Sequence, residues 1–564
     1  MENQRQFLSI ALVCIVAVLY FKWIEFSTEP SSSQSTLSTN AQSDVPNLAA
    51  PSLAPSSNQT SDIPSIASSA PPPLGDLSVP GTELINNDLI EINTDLVRAF
   101  INPVGGIIER LELKDQPISV DMPDQGYPLL KNTGRDSYVA QDGLLSSQQE
   151  RSPNHTTVYQ STNKNYELGT AEQLLVPLTW ASSDGVQVTK VFRFNRDSHL
   201  IGVDYQVTNG SNSDWVAYHY AQLNRTPPQD TGGSFGRLPS YTGAVYHTQE
   251  DGFEKLSFGD IEDANFELDT GKTWVGMLEH YFVSAWLPST EKNKLYTGYN
   301  RQQSQYRIGY QSSLANTISA GSSATISSQI YLGPKQQSRL KDLEKQGFSG
   351  LNLTVDYGFL TFIADPLFIL LSWIHSVVGN WGWSIILLTV LIKAAFYPLS
   401  AASYKSMAGM KKLQPRIQTL KERYKDDRQK FQTEMMALYK TEKINPAGGC
   451  LPILIQIPVF IALYWVLLES VEIRQAPFAL WWQDLSAPDP YYVLPVLMGL
   501  SMFFMQKLNP PPMEDIQKKV MMILPFALTF LFLTFPQGLV LYWVVNNILS
   551  MAQQWYINKK HGVS

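Results

Sequence analysis

A chain of 564 residues is longer than one hydrophobic core organises, which predicts two or three folded units. Its net charge of -8 excludes a general nucleic-acid binder. The two cysteines, Cys14 and Cys450, lie in separate apolar runs far apart, which excludes a disulfide framework and a cysteine-ligated metal site. No metal or other cofactor is expected.

The first apolar run, Phe7 to Phe21 (FLSIALVCIVAVLYF), is followed by Lys22, Trp23, Ile24, Glu25 and Phe26. A cleaved signal peptide wants small residues there, so residues 1–26 are predicted to be an uncleaved signal-anchor transmembrane helix. Residues 27–80 are rich in Ser, Pro, Ala, Gln and Thr. They bury too little apolar area to offset chain entropy and are predicted to be a flexible linker.

From about 82 the pattern changes to period two. Val186, Val188, Phe192 and Phe194 share one face of a strand, with Lys190 as the exception. Ile201, Val203, Tyr205 and Val207 share one face of the next strand, and Asn195 to Ser198 makes the turn. Comparable runs continue through Ile330, Tyr331 and Leu332, and about 336–346 (QQSRLKDLEKQ) reads as a short helix. Residues 82–346 are therefore predicted to be an antiparallel β-sandwich domain.

Asp356 to Val378 is apolar but interrupted at Asp365-Pro366, leaving neither half near ~20 residues, so 350–380 is predicted to hold a helix lying in the outer membrane interface. Five transmembrane helices are predicted in 381–564, at about 381–399, 451–470, 491–508, 520–535 and 538–557. The loop from Ser400 to Gly448 carries eleven Lys+Arg against five Asp+Glu, whereas Val471 to Pro490 carries one Arg and no Lys. Basic loops mark the cytoplasmic side, which puts both termini inside and the sandwich outside. Within 400–448, Met407, Met410, Leu413, Ile417, Leu420 and Tyr424 recur at helical steps, with Pro415 expected to interrupt them. Asp426-Asp427 can cap a second helix bearing Phe431, Met435, Leu438 and Tyr439. The expectation is a cytoplasmic helical hairpin, either a spacer with a solvated basic face or a docking surface.

Few residues suggest covalent chemistry. Gly271-Lys272-Thr273 resembles the end of a phosphate loop, but Phe266 stands where the motif needs glycine. His155, His199, His219 and Asp204 would suit a sugar-binding sandwich, although lone histidines usually belong to surfaces or satisfied cores. The helical region says more. Lys393 lies twelve residues past Trp381, roughly 18 Å below the outer boundary. It either snorkels to cytoplasmic headgroups or serves a polar cavity. Thr389 is one turn above it, Gln456 lies in the third span, and the last helix carries Asn546, Asn547, Ser550, Gln553 and Gln554. These groups are expected to line one cytoplasm-open hydrophilic groove, with interhelical hydrogen bonding as the alternative.

The stretches NPAGGCLPILIQIPVFIALYWVL, VEIRQAPFALWWQDLSAPDPYYVLPVLMG and FPQGLVLYWVVNN closely resemble the YidC/Oxa/Alb family of membrane insertases, over about 350–564. The N-terminal anchor and large outer sandwich resemble the family's Gram-negative form, in which that domain is periplasmic and mutarotase-like. The resemblance implies a non-enzymatic insertase and chaperone of the Gram-negative inner membrane. It would aid insertion, folding and assembly of nascent membrane proteins, alone or with the Sec translocon and its SecDF subunits. Membrane lipids are further partners. The ribosome, with its RNA, and the signal-recognition-particle system would meet the hairpin. The resemblance also implies a groove charge at Lys393, where most relatives have Arg, and substrate contacts at Ile457, Pro458, Phe460, Pro525, Leu531 and Trp543. Two other readings compete. One is a membrane-anchored periplasmic carbohydrate-binding or epimerising protein. The other is a solute transporter, which would show paired intramembrane charges or repeated halves.

Overall fold

The computed structural model describes residues 89–133, 136–228, 240–425, 427–442, 444, 451–509 and 515–560. The expected anchor at 1–26 and linker at 27–80 lie outside the described residues.

Strands Val186–Asn195 and Leu200–Asn209 pair antiparallel across a turn in which Asp197 takes φ +51°. Their register sets Ile201 opposite Phe194, Val203 opposite Phe192 and Val207 opposite Val188. All of these side chains are buried, so one apolar face per strand builds the interior. Lys190 is opposite Tyr205 and also fully buried. It does not break the pattern outward; its ammonium reaches Asp142 Oδ1 at 2.7 Å and the Gly106 carbonyl at 2.7 Å.

Two sheets stack on that interior. A nine-stranded sheet is centred on Phe282–Pro288, Ser323–Pro334, Leu200–Asn209 and Val186–Asn195, and an eleven-stranded sheet on Trp215–Arg225, Asp136–Leu145 and Ile107–Pro117. Ala99, Leu111, Ala140 and Leu223 of the larger sheet meet Val188, Phe192, Val203 and Ile330 of the smaller. Each large side chain removed from water there contributes roughly 1.5–3 kcal/mol. Among the described residues the expected antiparallel sandwich has one exception. Ile90–Asn93 pairs parallel with Asn165–Glu167, because the chain makes a long excursion before returning to that edge.

The smaller sheet is apolar on both faces. Phe282–Pro288 is buried at every position. Its outer face, with Trp274, Val283, Ala285 and Tyr331, receives Leu340 and Leu343 of a helix, and this second core continues through Leu351, Tyr357 and Leu360 into the C-terminal helices.

The described helices are α1 (Phe258–Asp263), α2 (Gln337–Lys345), α3 (Thr361–Val378), α4 (Trp381–Ala395), α5 (Tyr397–Arg423), α6 (Arg428–Thr441), α7 (Leu451–Glu469), α8 (Val493–Leu508), α9 (Asp515–Phe532) and α10 (Gln537–Lys560). Short-range chemistry sets several ends. Asn380 caps α4 by accepting from Trp383 N at 3.1 Å, and Asp427 caps α6 by accepting from Lys430 N at 2.9 Å. α3 closes on Gly379 at φ +71°.

Two proline expectations fail and one proline does more than expected. α3 runs unbroken through Asp365-Pro366. Pro366 sits in the second turn and forfeits one backbone bond, while Ala364, Phe368, Leu371 and Ile374 bury the face that keeps the helix together. α5 likewise continues through Pro415, with Leu413 and Ile417 buried on either side of it. By contrast, the span expected to reach residue 399 stops at Ala395, and α5 leaves at a 68° bend. Pro398 follows that break; its ring would collide with the carbonyl of Ala394 in a continued helix.

Among the described residues, one helix, Gly358–Val378 counted with its leading turn, is long and apolar enough to cross a membrane. α4 and α5 pass that test together as a bent pair, and Ile455–Glu469, Val493–Leu508 and Lys519–Phe532 are shorter apolar helices. α10 packs on α4 and α8, α9 on α8, and α3 on α4 and α7. Arg416 Nη1 meets Glu442 Oε1 at 2.7 Å, which brings the end of α6 back beside α5. Residues 418–438, beyond that contact, belong to a separate compact unit.

Candidate functional site

Three helices bring the sequence's most unusual charge to a junction. Lys393, in the last turn of α4, is 4% exposed. Its Nζ donates to Ser550 Oγ of α10 at 2.7 Å and to Gln456 Oε1 of α7 at 3.5 Å. Ser550 Oγ in turn donates to the Asn546 carbonyl at 2.7 Å. Among the described residues Lys393 has no ion-pair partner. A buried ammonium solvated by one hydroxyl and one amide oxygen is expensive, and it remains able to attract an anion.

The other polar residues do not all converge there. Thr389 is buried, but its hydroxyl is taken by the Ile385 carbonyl of its own helix at 2.6 Å. Asn547 faces the opposite way, and its Nδ2 donates to Ser501 Oγ of α8 at 2.9 Å. Gln554 follows the same face, bonding the Leu508 carbonyl at 3.2 Å and Asn509 Oδ1 at 3.0 Å. Gln553 is half-buried with its Oε1 enclosed and unpartnered. The single shared lining expected from sequence is thus two clusters. Lys393, Gln456 and Ser550 form one, with the Asn546 backbone, and Asn547 and Gln554 knit α10 to α8. Asn546 enters the first cluster through its carbonyl, and Asn547 the second through its side-chain amide.

The expected apolar track is also rearranged. Ile457 is 37% exposed, while Pro458 and Phe460 are half-buried. Phe460 stands edge-on to Trp543 at 4.5 Å between ring centroids, and Phe532 is 5.3 Å from the same indole. Pro525 is buried and Leu531 is half-buried. The most exposed large residues of α9 are Ile523, Phe526 and Phe530. Pro525 and Leu531 therefore lie on the protein side of α9 rather than on an exposed slide. Sequence reasoning missed Ser501 and Phe532. Ser501 was detectable as a hydroxyl inside the apolar run LMGLSMFFM.

A polar seam joining the sandwich to the segment after α7 was also missed. Glu469 Oε2 lies 3.5 Å from Lys335 Nζ, both buried. Arg474 Nη2 donates to the Pro117 carbonyl at 2.7 Å, and its guanidinium lies within about 6 Å of the Tyr127, Tyr281 and Phe282 rings. Burial lowers the Lys335 ammonium against the opposing pull of Glu469, and burial raises the Glu472 carboxyl. A cleft of about 340 Å³ beside the seam is lined by Asp115, Gln336, Glu472 and Arg474, among others.

The residues that would suit a sugar site are dispersed. His155 contacts Tyr220 OH at 2.6 Å, His199 contacts Asp115 at 3.1 Å, and Asp204 pairs with Arg193 at 2.6 Å. His219 is buried beside Tyr310 OH at 3.2 Å, with Asp142 Oδ2 at 3.9 Å. These are internal contacts in four places.

Known proteins resemble the chain over its whole length. The family described as 60Kd inner membrane protein matches residues 373–563, and the YidC periplasmic domain family matches residues 89–370. A membrane protein insertase YidC from Nitrosococcus oceani is 45% identical, covering 99% of both chains. One from Pseudomonas putida is 44% identical, covering 99% of this chain and 98% of the relative. Among solved structures, an active YidC insertase crystal structure with its first transmembrane domain resolved is 18% identical with a TM-score of 0.40, covering 84% of this chain and 93% of that one. A galactose mutarotase related enzyme from Lactobacillus acidophilus is 11% identical with a TM-score of 0.28, covering 43% of this chain and 97% of that one. On the sequence relatives and the two matched regions, which together span both the sandwich and the helices, the chain belongs to the YidC family of membrane protein insertases.

Proposed function

We propose that this chain inserts nascent proteins into the inner membrane, with its sandwich on the periplasmic side, and that Lys393 supplies the charge that draws in their hydrophilic segments. The observation that carries this reading is the buried Lys393 ammonium at the meeting of α4, α7 and α10, held by Ser550 and Gln456 without a counter-ion among the described residues. A client's polar segment pays several kcal/mol per unpaired group on leaving water for lipid. A cation in a low-dielectric site attracts an acidic segment more strongly than it would in water. The client's apolar helix then leaves past Ile457 and the Phe460–Trp543 junction. No bond is made or broken, so the work is transfer between solvents.

The topology belongs to the same proposal. The signal anchor and five C-terminal spans cross the membrane, both termini are cytoplasmic, and α3 lies in the periplasmic interface, with Phe362, Ile369, Trp373 and Val377 exposed for lipid. α5 and α6 meet the ribosome or the signal-recognition-particle system, and the chain works alone or beside the Sec translocon and SecDF. The test is site-specific photocrosslinking of a stalled nascent membrane protein to probes at 393, 457, 460 and 543. Labelling at these positions is expected. Labelling confined to the outward α9 residues 523, 526 and 530 overturns the path.

A further inference from the structure

α7 carries Gln456, Ile457 and Phe460, and its last residue is Glu469. That carboxylate is 4% exposed and surrounded by groups of the sandwich. Lys335 Nζ is 3.5 Å away, Ser240 Oγ 3.4 Å and His280 Nε2 3.7 Å. His280 Nε2 also lies 3.0 Å from the Leu468 carbonyl. The residues just beyond are gripped in the same way. Gln337 N donates to Glu472 Oε1 at 3.0 Å, and Tyr357 OH lies 3.0 Å from Ser470 Oγ. Arg474 and Gln475 both donate to the Pro117 carbonyl, at 2.7 and 2.9 Å.

A buried carboxylate at a helix end costs stability unless it is paired, and removing one partner strands the other. A domain that merely hung from the bundle would need no such pair. α7 also has a reason to be held at this end. Pro458 removes a backbone bond from its middle, and within the bundle its main lateral neighbour is α3. Phe460 lies nine residues before Glu469, roughly 14 Å along the axis, so a small tilt at the outer end displaces it.

The geometry points to Glu469 and Lys335 as positioning residues for insertion: their pair clamps the outer end of α7 to the sandwich and thereby sets where Ile457 and Phe460 stand beside α10. This rests on the insertase reading above. It makes the sandwich part of the machine's alignment, with the contact confined to the few side chains of the seam.

The full chain in lipid nanodiscs or membrane vesicles tests it, as Lys335→Met, Glu469→Gln, the double variant, and Lys345→Met as a control that removes only an exposed pair with Asp342. The first measurement, without any client, is amide hydrogen exchange at Ser470, Ile473 and Gln337. The second is photocrosslinking of a stalled nascent membrane protein to probes at 457 and 460. Each single variant is expected to speed exchange about ten-fold and to lower both crosslinks about ten-fold, since it leaves a buried charge alone. The double variant, which also lacks the pair, is expected to lose no more than the worse single variant rather than the sum of both, and Lys345→Met behaves as the parent. Unchanged exchange in the single variants overturns the clamp. Faster exchange with crosslinks intact overturns its positioning role. A parent chain that crosslinks at neither position overturns the insertion path itself, a result separable from the clamp because the exchange measurement needs no client.

Discussion

Lys393 Nζ and Ser550 Oγ meet at 2.7 Å across the contact between α4 and α10. The partner of this buried cation is a neutral hydroxyl, which orients the ammonium without neutralising it. The charge remains available to a client, and substitutions at the two positions should have different consequences.

Lys393→Arg is expected to retain insertion, whereas Lys393→Ala and Lys393→Glu impair clients with charged outer segments. Arg keeps the charge in a planar fork, so some loss from altered geometry is expected. Ser550→Ala removes one charge-assisted bond and costs about 1.5–3 kcal/mol locally while leaving the cation in place. Insertion assays under depletion of the native protein check this. Growth and insertion of Lys393→Glu at the parent level would refute the groove-charge reading.

The Lys190–Asp142 pair should dominate the stability of the sandwich. Both side chains are essentially unexposed, and Tyr205 OH adds a bond to Asp142 Oδ2 at 2.7 Å. Asp142→Asn or Lys190→Met leaves one buried charge alone and is expected to cost about 3–5 kcal/mol. Replacing both with apolar residues should cost less than either single change. Thermal unfolding of the full chain in detergent, followed by sandwich tryptophan signal, measures it.

The same pair predicts an acid limit. Burial raises the Asp142 carboxyl, but Lys190 and His219 outweigh burial and hold it below its ordinary value. A carboxyl depressed in the folded state contributes stability that is fully present above its unfolded pKa. That contribution is lost as pH falls through the folded value. The melting temperature of the parent should therefore fall below about pH 4, and that part of the fall should be absent in Asp142→Asn.

Gly499 of α8 packs against Thr529 of α9. A Cβ built there would run into Thr529 Oγ1, well inside any real contact. Gly499→Leu should force the helices apart and lower stability by about 1–3 kcal/mol or more. Pairing Gly499→Ala with Thr529→Ala should recover much of the loss. Melting curves of Gly499→Leu, Gly499→Ala and the Gly499→Ala/Thr529→Ala double variant in detergent decide it, and an unaffected Gly499→Leu would mean the two helices are not packed this way.

Local chemistry was legible where partners lie close in sequence. The alternation of Val186 to Phe194 and Ile201 to Val207 gave strand, face and turn, because a strand's inward side depends only on its own period. The cap at Asp427 followed from a side chain within three residues of the amide it serves. The prolines show where such rules end. Pro366 and Pro415 each remove one backbone bond, and tertiary burial of neighbouring side chains outweighs that loss. Pro398 stands in the first turn of α5, just past the break, and there the chain bends.

By itself the sequence determined the alternating strands, the apolar helices, the odd lysine at 393 and the motifs that mark the family. Tertiary structure alone decided what the polar residues face. Lys190 is an exception in its strand until Asp142, 48 residues earlier, is brought to it. Ser550 and Asn547 are both polar positions of one apolar helix, yet only the packing of α10 between α4 and α8 gives Ser550 to Lys393 and Asn547 to Ser501. Glu469 looks like the polar end of an apolar helix until Lys335, 134 residues away, is found against it. A period of 2 or 3.6 is carried by neighbouring residues, but a buried charge is stable only beside its partner, and that partner is chosen by how the whole chain packs.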